Sequence, residues 1–134
     1  MKKSESVLQL ENYFLDEVVF EIKSKVFPDN VLDITPHCYL DFDESRARVK
    51  LEFHIEEEIF FMRGSLIGTF SYDSGVDEET VRELIAINGV TILFPYLRST
   101  ISSISHAANV PTIIIPTINI LDYLQNKFEQ MDSE

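Results

Sequence analysis

Cysteine is almost absent. Cys38 stands alone in a chain of 134 residues, so no internal disulfide can form, and Met1-Lys2-Lys3-Ser4-Glu5 leads into no apolar h-region. Neither secretion nor a disulfide framework is indicated, and the cytoplasm is the expected compartment. Basic side chains are scarce as well. The sequence sets 11 Lys plus Arg against 23 Asp plus Glu, a formal net charge of −12, with the cations scattered singly or in pairs. Such a surface repels phosphate backbones, which excludes nucleic acid as a partner; it favours basic partners and solubility. Glycine- or proline-rich tracts are missing, and an apolar share of 45% with 25% charged residues is that of an ordinary globular domain. Chain-wide disorder is thereby excluded, and a single domain over residues 1–134 is expected. Charge itself vanishes from residues 99–121, a run long enough to cross a bilayer of ~30 Å. Its serines, threonines, asparagines and His106, interrupted by Pro111 and Pro116, would all need partners in lipid. Stable membrane insertion is rejected on that ground.

What is present is regular patterning. Val18, Phe20 and Ile22 alternate with Glu17, Val19 and Glu21, which predicts a half-buried strand from about Tyr13 to Lys25. Phe27-Pro28-Asp29-Asn30 suits a connection. Cys38, Leu40 and Phe42 share one parity, and Asp43-Glu44-Ser45-Arg46 makes a turn. Ala47, Val49, Leu51, Phe53 and Ile55 then alternate with Arg48, Lys50, Glu52, His54 and Glu56, completing a hairpin with one wet face. Phe60 to Tyr72 reads as a fourth strand, in which Gly64 and Gly68 mark a bulge or a close backbone approach. Helical spacing follows. Asp77 is the expected N-cap, with Glu78 and Glu79 in the first turn and Gly89 as terminator. A second helix is predicted from about Val90 to Ala108, with Pro95 in or near its first turn. Val110 to Pro116 reads as an extended loop, Ile118, Leu121, Leu124 and Phe128 mark a C-terminal amphipathic helix, and Glu129 to Glu134 form an acidic, frayed tail. Strands first and helices after give an α+β fold: a four-stranded antiparallel sheet with a long helix and a C-terminal helix packed on one face.

One helix asks for a partner. Opposite Leu97, Ile101 and Ile104, the segment Ser99 to Asn109 offers Ser99, Ser102, Ser103, Ser105 and His106, a small and uncharged face. This predicts a helix covered by its own sheet on one side and by another subunit on the other, against the plainer reading of a serine-rich helix exposed in a monomer. The oligomer interface is therefore expected at Leu97, Ser99, Ile101, Ser102, Ser105 and His106. Reactive chemistry is poorly supported. His37 and Cys38 are neighbours that point to opposite faces of a strand, His54 belongs to a wet face, and no CxxC, HxH or HExxH spacing occurs, so no metal or other cofactor is expected. Ser102 and His106 lack a nucleophile elbow and an orienting acid, no phosphate-binding glycine loop appears, and Glu56-Glu57-Glu58 reads as a solvated turn. No catalytic residue is assigned.

The contiguous stretch Ile92-Leu93-Phe94-Pro95-Tyr96-Leu97-Arg98 resembles the helix-opening signature of the SecB family of export chaperones. Asp16-Glu17-Val18-Val19-Phe20-Glu21 resembles that family's first strand, and Val110-Pro111 through Pro116 to Asn119 its proline-bounded loop before the last helix. The similarity runs from about Tyr13 to Leu124. It implies a homotetramer, built as a dimer of dimers with long helices between sheets. It also implies an ATP-independent holdase that keeps unfolded preproteins competent for Sec-dependent export and delivers them to SecA. The client groove would then involve Phe27, Val31, Leu32, Tyr39, Leu40 and Phe42 with Ile113, Ile114 and Ile115, and SecA would dock on Glu17 and Glu21. Arg63 departs from the pattern, standing where the family would place another acid on the fourth strand. A SecB-like chaperone dedicated to an antitoxin of a toxin–antitoxin system is the first alternative. A small α+β hotdog-like enzyme, for which His106 is the sole candidate residue, is the second.

Overall fold

The computed structural model describes residues 8–23, 31–41, 43–110 and 120–132, with side chains as far as residue 126. Four strands, β1 (Leu8–Ile22), β2 (Val31–Asp41), β3 (Arg46–Glu56) and β4 (Phe60–Tyr72), form one antiparallel sheet in the order β1-β4-β3-β2. The expected connection at Phe27 to Asn30, the residue Phe42 and the loop after Val110 lie outside the described residues.

The inner face of the sheet is built by strict alternation. Ala47, Val49, Leu51, Phe53 and Ile55 are all buried, and across the ladder they meet Phe70, Gly68, Leu66, Gly64 and Met62. On the other side of β3 the even positions of β2 continue that face, with Ile34 fully buried opposite Phe53. β2 starts at Val31, earlier than the parity of Cys38, Leu40 and Phe42 indicated, and it includes Pro36. A proline is tolerated there because β2 is an edge strand and Pro36 falls in the phase whose missing N–H would point away from β3.

β1 follows a broken alternation. Leu8, Leu10, Tyr13, Leu15, Val18, Phe20 and Ile22 face the helices, and the two steps of three coincide with register shifts that leave Glu11 and Asp16 as extra residues. The bulges therefore sit on β1, and the β4 glycines serve close approach instead. A Cβ on Gly64 would run into the Glu17 carbonyl oxygen and lie 3.0 Å from Val18 Cα, beside the Asp16 bulge. A Cβ on Gly68 would come within 2.9 Å of Leu93 Cδ1 on the overlying helix.

That helix is longer than its sequence signals suggested. Asp77 does cap α1 (Glu78–Leu84), its carboxylate accepting from the Thr80 amide at 3.2 Å and from Thr80 Oγ1 at 2.8 Å. Gly89 does not end it. A π-helical turn (Ile85–Gly89) carries the backbone straight into α2 (Val90–Ala107), and Gly89 is helical at φ −61° and ψ −45°. Its missing side chain lets the helix settle on the sheet, since a Cβ there would lie 3.1 Å from Val49 Cγ2. Pro95 consequently falls inside a continuous helix. The real terminator is Asn109, left-handed at φ 60°, with Ala108, Asn109 and Val110 amides returned to the last carbonyls of α2. α3 (Ile120–Asp132) buries Ile120 and Leu124 in the same core, and its helical backbone includes 129–132 of the acidic end. By length and composition Glu78–Ala107 is apolar enough to cross a membrane. Its stripe of Val81, Ile85, Leu93, Leu97 and Ile101 is nevertheless buried against the chain's own sheet, as a core helix requires.

Gly64 meets backbone and Gly68 a flexible leucine tip, so the two differ in how far they can yield. Gly64→Ala is expected to lose about 2 kcal/mol or more and Gly68→Ala about 1 kcal/mol, read from urea midpoints at constant m-value.

Candidate functional site

Two surfaces flank the core: the edge of β2 with α3 beside it, and the outer face of the sheet. On the edge, Leu32 and Leu40 lie on the helix side, whereas Val31 and Tyr39 point to the outer face. Leu32 is 39% exposed and Tyr39 54%, while Val31 and Leu40 are half-buried. The four described members of the expected client groove are thus divided between two faces, and Phe27, Phe42, Ile113, Ile114 and Ile115 lie outside the described residues. Near the end of β2, a depression of about 220 Å³ is lined by Cys38, Tyr39, Leu40, Arg82 and Ile85. Cys38 is exposed rather than packed as a small apolar residue, yet desolvation by partial burial pushes its thiol pKa up, which disfavours the nucleophilic thiolate.

Tyr123 of α3 reaches this edge. Its hydroxyl accepts from the Ile34 amide at 3.2 Å and donates to the Leu32 carbonyl at 3.4 Å. Sequence reasoning did not single out Tyr123, because a tyrosine on an amphipathic helix gives no signal of what its hydroxyl meets. Pro36 was the available clue, marking β2 as an edge strand.

The outer face carries most of the charge. Glu17 and Glu21 are both exposed on it, flanking Val19, whose cross-strand partner is Arg63. Arg63 and His54 oppose each other across β4 and β3, and with Glu17, Asp33, Glu52 and Ser65 they line a shallow depression of about 230 Å³. Ser65 is buried and donates to Asp16 at 3.2 Å, which ties the second β1 bulge to the sheet. His37 shares this face, with its Nε2 2.9 Å from Glu52 Oε1, and Cys38 lies on the other. Among the described residues, no three His, Cys, Asp or Glu side chains come together in a metal-binding group.

At the root of the β1–β2 connection the expected acidic turn is partly neutralised. The Lys23 side chain is only 8% exposed, and its Nζ lies 3.2 Å from Glu56 Oε1 and donates to the Glu57 carbonyl at 2.6 Å. Hydrogen bonding from Lys23, followed by its charge and the bond from His54, holds the Glu56 carboxyl below the usual glutamate range.

The candidate oligomer face needs correction. Leu97, Ile101 and Ser105 are each 0% exposed, so they belong to the chain's own core. Ser105 was assigned to the opposite side, but positions 97, 101 and 105 repeat at four and stay on one stripe. Ser105 Oγ meets its need locally, donating to the Ser102 carbonyl at 2.9 Å, as Thr91 and Thr100 do to Ile87 and Tyr96. Ser99, Ser103 and His106 are exposed, with Ser102 half-buried. Further along, Tyr96 meets Tyr13 of β1 with ring centroids 4.5 Å apart.

A family model described as the preprotein translocase subunit SecB matches residues 2–131. The chain belongs to the SecB family. A protein-export protein SecB of Wolbachia pipientis subsp. Culex pipiens is 28% identical over 92 residues, 67% of this chain and 55% of that protein. An uncharacterised protein of Methanocaldococcus jannaschii is 46% identical over 48 residues, 36% of this chain and 31% of that protein. The matched stretches therefore span about a third and just over half of these curated relatives. The SecB-like chaperone of Mycobacterium tuberculosis, solved in complex with a ChAD peptide from the HigA1 antitoxin, superposes with a TM-score of 0.72 at 17% identity, covering 86% of this chain and 93% of that one. A Streptococcus agalactiae protein of unknown function gives 0.52 at 13% identity, covering 81% and 96%. At these identities the two structures speak for the fold.

Because the folded state lowers the Glu56 pKa, the stabilisation is present above the unfolded glutamate value of about 4.3 and disappears as pH falls through the lower folded value. The difference in urea midpoint between wild type and Glu56→Gln is therefore expected to be largest near neutral pH and to close toward pH 3.

Proposed function

We propose that this protein is an ATP-independent holdase that binds unfolded preproteins in the cytoplasm and works as a homotetramer. The supporting observation is a division of exposed apolar surface between the two edges of one sheet. On β1, Tyr13, Leu15, Val18 and Ile22 are 42%, 38%, 39% and 62% exposed on the helix side, with Tyr96 of α2 beside them at 39%. On β2, Leu32 and Tyr39 are exposed at the far side of the core. Strips this apolar invite cover. The β1 strip is continuous with the uncharged outer side of α2, where Ser99, Ser103 and His106 permit close approach, and together they suit another copy of the chain. The β2 edge, with Leu32 exposed on the helix side and Tyr39 on the outer face, remains for a client, and a net charge of −12 keeps such a surface soluble.

Glu17 and Glu21 supply an acidic docking surface of the kind SecA would meet, but Arg63 stands between their rows and offsets it. A client other than a preprotein is the second reading, favoured by that arginine and by the antitoxin peptide held by the Mycobacterium tuberculosis neighbour. Family membership supports the chaperone reading over that of a hotdog-like enzyme.

Purified protein is expected to suppress aggregation of slowly folding polypeptides without nucleotide, and native mass measurement should give a tetramer that gains mass with an unfolded client. A monomer that ignores several such clients would overturn the proposal. Arg63→Glu is expected to raise SecA affinity severalfold in a titration, and unchanged binding would remove SecA docking from Glu17 and Glu21.

A further inference from the structure

Several carboxylates on the outer face of the sheet are answered by their own chain. Glu52 Oε1 lies 2.9 Å from His37 Nε2, Glu56 is held by Lys23 and His54, and Asp16 accepts from Ser65. Three exposed charges stand apart. Among the described residues, the side chains of Glu17, Glu21 and Arg63 enter no ion pair or hydrogen bond. They are nevertheless close neighbours. β1 and β4 keep an unbroken register from the Glu17–Ser65 pair to the Glu21–Phe61 pair, with Arg63 opposite Val19, so Arg63 is diagonal to both glutamates. Diagonal partners lie roughly 7–8 Å apart, within reach of long side chains, yet no bridge closes.

Along the β1–β4 seam the open charges therefore run negative, positive, negative at every second residue. The half-buried Val19 gives an apolar floor, and the depression over Ser65 opens beside Glu17 and Arg63. Glu17 and Glu21 are four strand residues apart, roughly 13 Å. In an extended polypeptide the side chains i, i+2 and i+4 share one face and cover the same distance. We propose that this seam docks an extended segment of a partner protein whose basic, acidic and basic side chains alternate at every second residue. A phosphate chain is repelled by both glutamates, and a uniformly basic segment by the arginine between them. A carboxylate, by contrast, can bond to a guanidinium through both oxygens. This rests on the reading of Glu17 and Glu21 as a partner-docking surface, and it makes Arg63 the residue that sets which partner docks.

The test titrates the full chain at low ionic strength with unlabelled peptides, followed by the Val19 and Arg63 amide shifts in two-dimensional NMR. The mixed peptide is Thr-Lys-Val-Glu-Val-Lys-Thr, the all-basic one Thr-Lys-Val-Lys-Val-Lys-Thr, and the third, Thr-Val-Lys-Glu-Lys-Val-Thr, sets the same charges side by side. Wild type should bind the mixed peptide about threefold more tightly than the all-basic one, against the order that a net charge of −12 alone dictates. The side-by-side peptide should bind more weakly than the mixed one. Arg63→Glu should invert the preference, and Arg63→Gln should abolish it. If wild type prefers the all-basic peptide, or the side-by-side order binds as well as the alternating one, the inference is overturned while Glu17 and Glu21 still dock a basic partner. If Arg63→Glu changes the native mass of the protein without inverting the preference, a second copy occupies the seam and the inference fails. If no peptide moves the Val19 or Arg63 amide in any of the three proteins, the inference and the docking reading fall together.

Discussion

The close approach of one long helix to the sheet governs the rest of the molecule. Gly89 on the helix faces Val49, and Gly68 on the sheet faces Leu93, so at each point one partner contributes no side chain. The helix settles close on the sheet, and the buried stripe from Val81 to Ile101 packs on the inner face. A helix that sits this low can cover only the middle of a four-stranded sheet. The helix side of β1 beyond Leu10, and the β2 edge, are left to other solutions.

Those two edges are handled differently. β1 carries two bulges, and Gly64 admits the displaced backbone at Glu17, so the strand keeps its apolar residues on one side despite two breaks in parity. The result is a nearly unbroken apolar strip, with the Tyr13–Tyr96 contact joining it to the helix. β2 is protected instead by Pro36 and by the Tyr123 hydroxyl, both of which act on backbone groups and leave Leu32 and Tyr39 exposed.

The outer face separates charge from these apolar strips. Arg46, Arg48 and Lys50 on β3 stand toward one end, and the acids Glu17, Glu21, Asp33 and Glu52 surround Arg63 and His54 toward the other. Surface pairs such as Lys50–Glu52 add little stability. The Lys23–Glu56 contact is the exception. A nearly buried ammonium answered by a carboxylate and a carbonyl ties the end of β1 to the turn after β3.

The sequence by itself determined the α+β order, the β2–β3 hairpin, the cap at Asp77 and membership of the SecB family, because each rests on local periodicity or a contiguous motif such as Ile92 to Arg98. It also placed Glu17 and Glu21 on one face and separated His37 from Cys38, since strand parity is a local property. Only the tertiary structure decided that Gly89 is a contact point and no terminator, that Ser105 lies inside, that the bulges belong to β1 and not to the glycines of β4, and that Tyr123 closes an edge. Each of these depends on what a residue meets across space: glycine means either freedom or closeness, a serine is inner or outer by helix phase, and a hydroxyl has no role until a neighbouring strand presents an amide and a carbonyl to it.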